Sequence, residues 1–343
     1  MPAKESAALE RLLEEAAERG ASDLYLIPGE PPIFRVGSEL ERKDEAPLAA
    51  GDVEKLVFTV VESQRAAKIG TETGGVIAHC GVEGVAEGRM CLAKSRGQFT
   101  AVIRILASEL PSPAAAGIPR ALLEAAESPH GLIVLTGSPG SGKTTTALVL
   151  LEHLNAKAPL HIVTLEDPVC VRLEPKRAVI QQREVGLDTP SYIAGLKTVM
   201  RQDPDVIFVG EVRDLATLQA CITTARTGHL VITQLHEASP EAAIEKMLDV
   251  QPEDMAKVFR KELAAVLRAV AAQRLLPEAN GKGCLAAYGV LVVDDEMRRA
   301  IAEGKDIFDR AAPLPGGSQT LAEDIERLRA EGKITDEIAA RLS

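Results

Sequence analysis

The chain has 343 residues and a 46% hydrophobic composition, enough for two domains with two cores. A net charge of −11, from 39 basic and 50 acidic residues, argues against a broad nucleic-acid footprint and leaves room only for a local basic channel in an assembly. Its cysteines, at 80, 91, 170, 221 and 284, form no C-x-x-C pair, no run approaches the ~18 apolar residues of a membrane span, and no basic-then-apolar leader opens the chain; the expectation is a cytoplasmic protein with reduced thiols, no structural zinc and no direct membrane insertion.

In chain order, Leu9, Leu12, Leu13, Ala16 and Ala17 recur at helical spacing and Gly20 follows at a C-cap position, which predicts an amphipathic helix. Strands are predicted at 22–26 and 32–36 around a Pro/Gly turn, a helix over about Val53–Ala67, and strands near 75–79, 88–93 and 98–106. Residues 1–106 thus read as a small α+β domain. Residues 107–120 hold Pro111, Pro113, Gly117 and Pro119 with few large side chains, the composition of a semi-rigid interdomain linker.

Beyond the linker, strand signals at 131–136, 161–165, 206–209 and 230–235 alternate with helix signals after residue 142, near 192–201 and from Leu215. Such alternation predicts a mostly parallel sheet with helices on both faces. An apolar stripe of Met255, Val258, Phe259, Leu263, Val266, Leu267 and Val270 predicts one long helix over 255–270. Leu285–Val293 reads as a late strand, and two packed, solvated helices close the chain. The expected core is 121–275, with 276–343 as a C-terminal strand and helices packed on it.

The chemistry centres on Gly137, Ser138, Pro139, Gly140, Ser141, Gly142, Lys143 and Thr144, which fill the pattern G-x-x-x-x-G-K-[ST]; Thr145 follows in the same cradle. Glycines let backbone N–H groups approach phosphates, Lys143 suits the β/γ oxygens, and Thr144 suits Mg²⁺. The context is right, with the apolar strand Gly131–Thr136 before and a helix carrying Ala147, Leu148, Leu150, Leu151 and Leu154 after. A nucleotide ligand follows.

Four further clusters sit at predicted strand ends. Leu165-Glu166-Asp167-Pro168 presents two carboxylates, suited either to Mg²⁺ and its waters or to an acidic turn before proline. Val206-Ile207-Phe208-Val209-Gly210-Glu211 is an apolar strand ending in a glutamate that suits either polarisation of an attacking water or a surface position; a general Walker B carries Asp where Gly210 stands. His229 and His236 bracket the strand 230–233, and each suits either a γ-phosphate contact or a structural hydrogen bond. Arg183, Arg201, Arg213 and Arg274 suit phosphates or, more simply, carboxylate partners.

In this order and spacing the clusters resemble the type II/IV secretion and pilus ATPase superfamily over nearly the whole chain. The carriers are Thr164–Pro168, Gln182–Gly186, Arg201–Asp205, Val209–Asp214 with glycine before glutamate, Thr227–Val231 with Leu235-His236, and Ala272-Gln273-Arg274-Leu275. Within the superfamily the chain is most similar to the PilT-like pilus-retraction (twitching motility) ATPases. The carriers of that match are Ala21–Leu24, a hairpin at Gly37 and the tail from Gln319 to Thr335. Extension and secretion motors usually add an N-terminal domain and a tetracysteine loop after A-Q-R-L, whereas only Cys284 lies in that region here. Departures from the family pattern are Tyr25, Ser138, Gln234, Glu237 and Gly289, together with a partial match of Glu296–Glu303 to the retraction-linked C-terminal motif.

The resemblance implies an α/β fold with a RecA-like P-loop ATPase core, a PAS-like N-terminal domain and a helical C-terminal region. It also implies a homohexameric motor that hydrolyses ATP with Mg²⁺, works against an inner-membrane platform protein at the cytoplasmic face, and uses no nucleic acid. Its implied roles are Lys143 and the loop on phosphates, Thr144 and Glu166 on Mg²⁺, Glu211 on the attacking water, and His229 and His236 on the γ-phosphate. Arg89, Arg96 and Arg104 fall near the family's basic positions that close a neighbour's site. The alternatives are an assembly or type II secretion motor, and an accessory paralogue that binds ATP with weak turnover.

Overall fold

Leu9, Leu12, Leu13 and Ala16 share one face of α1 (Pro2–Glu18), and Val53, Leu56 and Val57 one face of α2 (Ala50–Val57). Both faces are buried with Leu24, Leu26, Met90, Leu92 and Ile103 of a sheet, the outcome their three-and-four spacing demands. In the computed structural model, which describes residues 2–37, 39–61, 66–82, 85–106, 110–249, 256–281, 283–305 and 316–341, this sheet has six strands. They are β1 (Ala21–Leu26), β2 (Ile33–Val36), β3 (Glu39–Arg42), β4 (Gly75–Val82), β5 (Ala86–Ser95) and β6 (Gln98–Leu106), in the order β3-β2-β1-β6-β5-β4 and antiparallel throughout. β3 escaped the sequence reading because its residues, Glu39-Leu40-Glu41-Arg42, are largely exposed and carry no apolar face. α2 also stops sooner than expected. The β-branched run Thr59-Val60-Val61 disfavours helix and the Thr59 hydroxyl donates to the Leu56 carbonyl at 2.6 Å; residues 62–65 of the expected helix lie outside the described residues.

The chain divides into a first unit, Met1–Glu109, and a second, Leu110–Ser343. Residues 110–120 of the expected linker therefore belong to the second unit, and 107–109 lie outside the described residues.

The second unit contains α3 (Arg120–Ala126), β7 (Gly131–Thr136), α4 (Lys143–Lys157), β8 (His161–Glu166), β9 (Val179–Glu184), α5 (Tyr192–Val199), β10 (Val206–Val209), α6 (Leu215–Arg226) and β11 (Leu230–Gln234). It continues with α7 (Pro240–Asp249), α8 (Ala256–Val266), β12 (Leu267–Pro277), β13 (Cys284–Val292), α9 (Asp295–Glu303), α10 (Leu321–Ala330) and α11 (Asp336–Ala340). Its seven strands run in the order β13-β12-β7-β11-β10-β8-β9, parallel except for the β12–β13 pair. Side chains alternate between two cores. Leu132 and Val134 pack with Leu218, Ile244 and Leu263 on one face, while Ile133 and Leu135 pack with Leu122, Leu148 and Leu151 on the other.

The expected long helix over 255–270 is corrected. Met255 lies outside the described residues, the helix ends at Val266, and Leu267 and Val270 belong to β12. The physical reason is the far edge of β7, whose backbone groups β12 satisfies in parallel register from Leu267↔Leu132 to Ala272↔Thr136. Buried on both faces, β12 has no period-two signature to betray it. Three described helices rather than two follow the last strand.

Candidate active site

The wholly buried strand β7 drives the chain into the glycine-rich loop, and α4 begins at Lys143 directly after it. Gly137 has φ +138°, and a Cβ there would lie 2.4 Å from the Gln273 carbonyl oxygen, so glycine alone fits where β12 passes under the loop. The Gln273 side chain supports the same loop. Its amide nitrogen would stand 2.6 Å from a Cβ at position 142, and its Oε1 accepts from Thr146 Oγ1 at 2.7 Å. Lys143, 5% exposed, donates from Nζ to the carbonyls of Gly137 and Ser138 at 2.7 and 2.9 Å. Burial pulls its ammonium below the ordinary lysine range, opposed by the charge of Glu211.

Opposite the loop, β10 delivers Glu211 and β8 delivers Glu166. Glu211 Oε1 accepts from His236 Nε2 at 2.7 Å and Oε2 from Arg213 Nη2 at 2.8 Å. The Arg213 bond, outweighing partial burial, and then His236 hold the Glu211 carboxyl below the usual glutamate range. Arg213 also lies 3.5 Å from Asp167, so it serves as a carboxylate partner here.

Glu166 is 2% exposed, which with the nearby Glu184 charge raises its carboxyl pKa, while hydrogen bonds from Thr164 Oγ1 (2.6 Å) and Gln182 Nε2 (3.1 Å) to Oε1, and the Cys170 backbone, favour ionisation. Its Oε2 is buried and has no hydrogen-bond partner among the described residues. Gly210 explains the departure from a general Walker B. A Cβ there would meet the Leu165 carbonyl at 3.2 Å, the Tyr192 hydroxyl at 3.3 Å and the Glu166 Cα at 3.4 Å.

β11 lies between β7 and β10, so at ~4.8 Å per strand step the loop strand and the glutamate strand stand about 10 Å apart. The space is a cavity of about 460 Å³ lined by Pro139–Thr145, Glu166, Asp167, Tyr192, Glu211, Gln234 and His236, among others. A larger cleft, about 1040 Å³, lies between residues 114–121 and the C-terminal elements; it contains neither the loop nor these carboxylates, and chemistry rather than size selects the smaller one.

The expected residues do not all converge. His229 precedes the N-terminal end of β11, where its ring meets Thr227 Oγ1 at 3.1 Å and the Thr224 carbonyl at 3.2 Å. Its own carbonyl accepts from Gly131 N at the opposite end of β7 from the loop. His229 is thus away from this cavity within one chain: seven residues along an extended strand is about 23 Å, so His229 and His236 do not meet one phosphate in a single chain. Arg89, Arg96 and Arg104 lie in the first unit. Arg89 pairs in register with Arg104, Arg96 sits at the β5–β6 turn with φ +52°, and Arg104 Nε lies 3.2 Å from buried Asp23.

Sequence reasoning named no role for Gln182, Gln273 or Thr164. All three stood inside quoted motifs, which was a signal, but the partners of Gln182 and Gln273 lie 16 and 127 residues away.

A model described as type II/IV secretion system protein matches residues 100–305. The chain is 34% identical over 331 residues to the type IV pilus retractation ATPase PilT of Pseudomonas aeruginosa, covering 96% of each. It is 30% identical over 335 residues to the type IV pilus ATPase PilU of the same organism, covering 96% of this chain and 87% of that one. A crystal structure of the pilus retraction motor PilT with bound ADP superposes at a TM-score of 0.88 with 35% identity, covering 98% of this chain and 96% of that one, so the fold is an α/β ATPase fold. Spanned by the family model over most of its second unit and by full-length relatives at this identity, the chain belongs to the type II/IV secretion system protein family.

Proposed function

We propose that this chain is a Mg²⁺-dependent ATPase that works as a homohexameric motor and powers type IV pilus retraction. The observation that carries the reading is Glu211, held ionised by Arg213 and His236 across the cavity from Lys143 and the glycine-rich loop. Supporting it are the pilus ATPases among its relatives, one of them solved with ADP.

The residues fit a magnesium ion. Glu166 Oε2 is a buried acceptor with no partner among the described residues, and Thr144, in the first turn of α4, lines the same cavity; Mg²⁺ takes one or two protein ligands and completes its shell with water and phosphate. When bound, it neutralises charge on the phosphates and polarises them. The protein groups do the rest. Lys143 exchanges two loop carbonyls for β- and γ-phosphate oxygens, stronger acceptors for an ammonium. Glu211 orients the attacking water and accepts its proton, and His236, donating to Glu211, fixes that carboxylate's direction. The core is read as RecA-like and the first unit as PAS-like, with residues 107–120 as the coupling segment between them. Arg89, Arg96 and Arg104 are the candidates to complete a neighbour's site. The site of action is the cytoplasmic face of the inner membrane, on a platform protein and without nucleic acid; no helix of the described residues is long and apolar enough to cross a membrane.

The test is phosphate release by the purified protein over a concentration series, with oligomer size measured in the same samples and Glu211→Gln beside it. Turnover that rises with ring assembly and falls by orders of magnitude in the variant is expected. A ring that binds ATP without turnover, indifferent to the substitution, would sink the motor reading and leave a nucleotide-binding accessory subunit. Retraction is read separately, from whether loss of the gene leaves surface pili extended or absent.

A further inference from the structure

Gln234 is the last residue of β11, the strand inserted between the loop strand and the glutamate strand, so it projects at the middle of the gap between Lys143 and Glu211. It is 5% exposed. Its backbone is held on both sides of the gap: its carbonyl accepts from Val212 N at 3.1 Å, and the next residue's N–H donates to the Leu135 carbonyl at 2.8 Å. Its side chain lines the phosphate cavity, with Oε1 accepting from Thr144 Oγ1 at 3.3 Å. Its Nε2 is buried and meets no acceptor among the described residues.

An amide nitrogen in that state loses the hydrogen bonds water would give it, a cost that is offset where a ligand or an ordered water supplies the acceptor. Thr144 decides which end of the amide faces the ligand. A hydroxyl that offers its lone pair to a cation sends its proton to an acceptor, which Gln234 Oε1 provides; the NH₂ group is then the end of the amide left for a ligand. The acceptors that enter between Lys143 and Glu211 are the oxygens of a terminal phosphate.

We infer that Gln234 is a γ-phosphate-sensing residue, which donates from Nε2 to the terminal phosphate of a nucleoside triphosphate and registers its loss through Thr144 and the strand end that carries His236. This rests on the ATP-site reading above and adds to it a residue that departs from the family pattern. A diphosphate leaves Nε2 without its acceptor, so the side chain discriminates between triphosphate and diphosphate.

The experiment measures binding of fluorescent ADP and of a fluorescent non-hydrolysable ATP analogue, both with Mg²⁺, to the full chain and to two variants, with kcat and KM for ATP alongside. Gln234→Glu keeps an acceptor for Thr144 and removes the donor; Gln234→Met keeps the volume and removes both. For both variants the preference for the triphosphate analogue over ADP is expected to fall about tenfold or more. In Gln234→Glu, ADP affinity stays within about threefold of the parent, which also reports an intact fold, while kcat falls. A merely structural role weakens both nucleotides together, and an unchanged preference in Gln234→Glu overturns the inference while leaving the ATP site standing. A parent chain that binds neither nucleotide overturns the ATP-site reading itself.

Discussion

His236 Nε2 lies 2.7 Å from Glu211 Oε1, joining the residues that leave two neighbouring parallel strands, β11 and β10, on the side of the sheet where the glycine-rich loop opens. An ionised carboxylate only accepts, so the histidine presents its Nε2–H to Glu211 and points the carboxylate into the cavity. Glu211→Gln is expected to lower kcat by ~10²–10⁴-fold, and His236→Ala by roughly 10- to 100-fold, with ATP affinity nearly unchanged in both. The double variant should match Glu211→Gln alone, because the histidine acts through the glutamate. Additive losses would show that His236 has a separate role.

The pH profile carries a second prediction. Arg213 first, and His236 after it, hold Glu211 below the ordinary glutamate range against partial burial, with Lys143 and Asp167 as the other nearby charges. In the proposed role the working form is the ionised one, so a lowered pKa extends activity downward, and the acid limb of kcat should fall below the free-glutamate value of about 4.3. Arg213→Gln removes the largest lowering influence and should move that limb toward neutral pH. Superimposable limbs for parent and variant would assign the titration to another group.

Replacing Gly210 by aspartate makes the general Walker B pattern, yet it should harm this protein. The added Cβ meets the Leu165 carbonyl and the Tyr192 hydroxyl at 3.2 and 3.3 Å, and the new carboxylate joins Glu166, Asp167 and Glu211 around one cavity. Destabilisation of about 1–3 kcal/mol in urea unfolding, with weakened nucleotide binding, is expected. Stability and affinity at parental levels would mean that the strand end shifts freely to make room.

Tyr288, 1% exposed, places its hydroxyl 3.0 Å from Thr146 Oγ1 and 3.1 Å from the Ala116 carbonyl, and Thr146 in turn donates to Gln273 beneath the loop. Tyr288→Phe is expected to cost ~1–3 kcal/mol of stability, because a buried acceptor loses the hydroxyl's single proton while the ring's packing is kept. A double-mutant cycle with Thr146→Val should return a coupling energy of ~0.5 kcal/mol or more. Strict additivity would show that the two hydroxyls do not share a bond.

What the sequence by itself determined is what depends on neighbours in the chain. The loop from Gly137 to Thr144 was legible because strand, glycines, lysine and helix are contiguous, and Glu211 because an apolar strand ends on it. The same holds for α1, whose apolar spacing and terminal glycine are local, with Gly20 at φ +62°. Tertiary structure decided the rest, because sheet order is a relation between distant segments. Leu267–Val270 continues a helical stripe on paper and becomes strand only because the edge of β7 needs a partner. His229 and His236 look equivalent as flanks of one strand, yet a parallel strand has one end at the loop, and only His236 is there. Gln234 reads as a mere departure until β11 is found between β7 and β10, which sets its side chain in the lining of the cavity beside the glycine-rich loop.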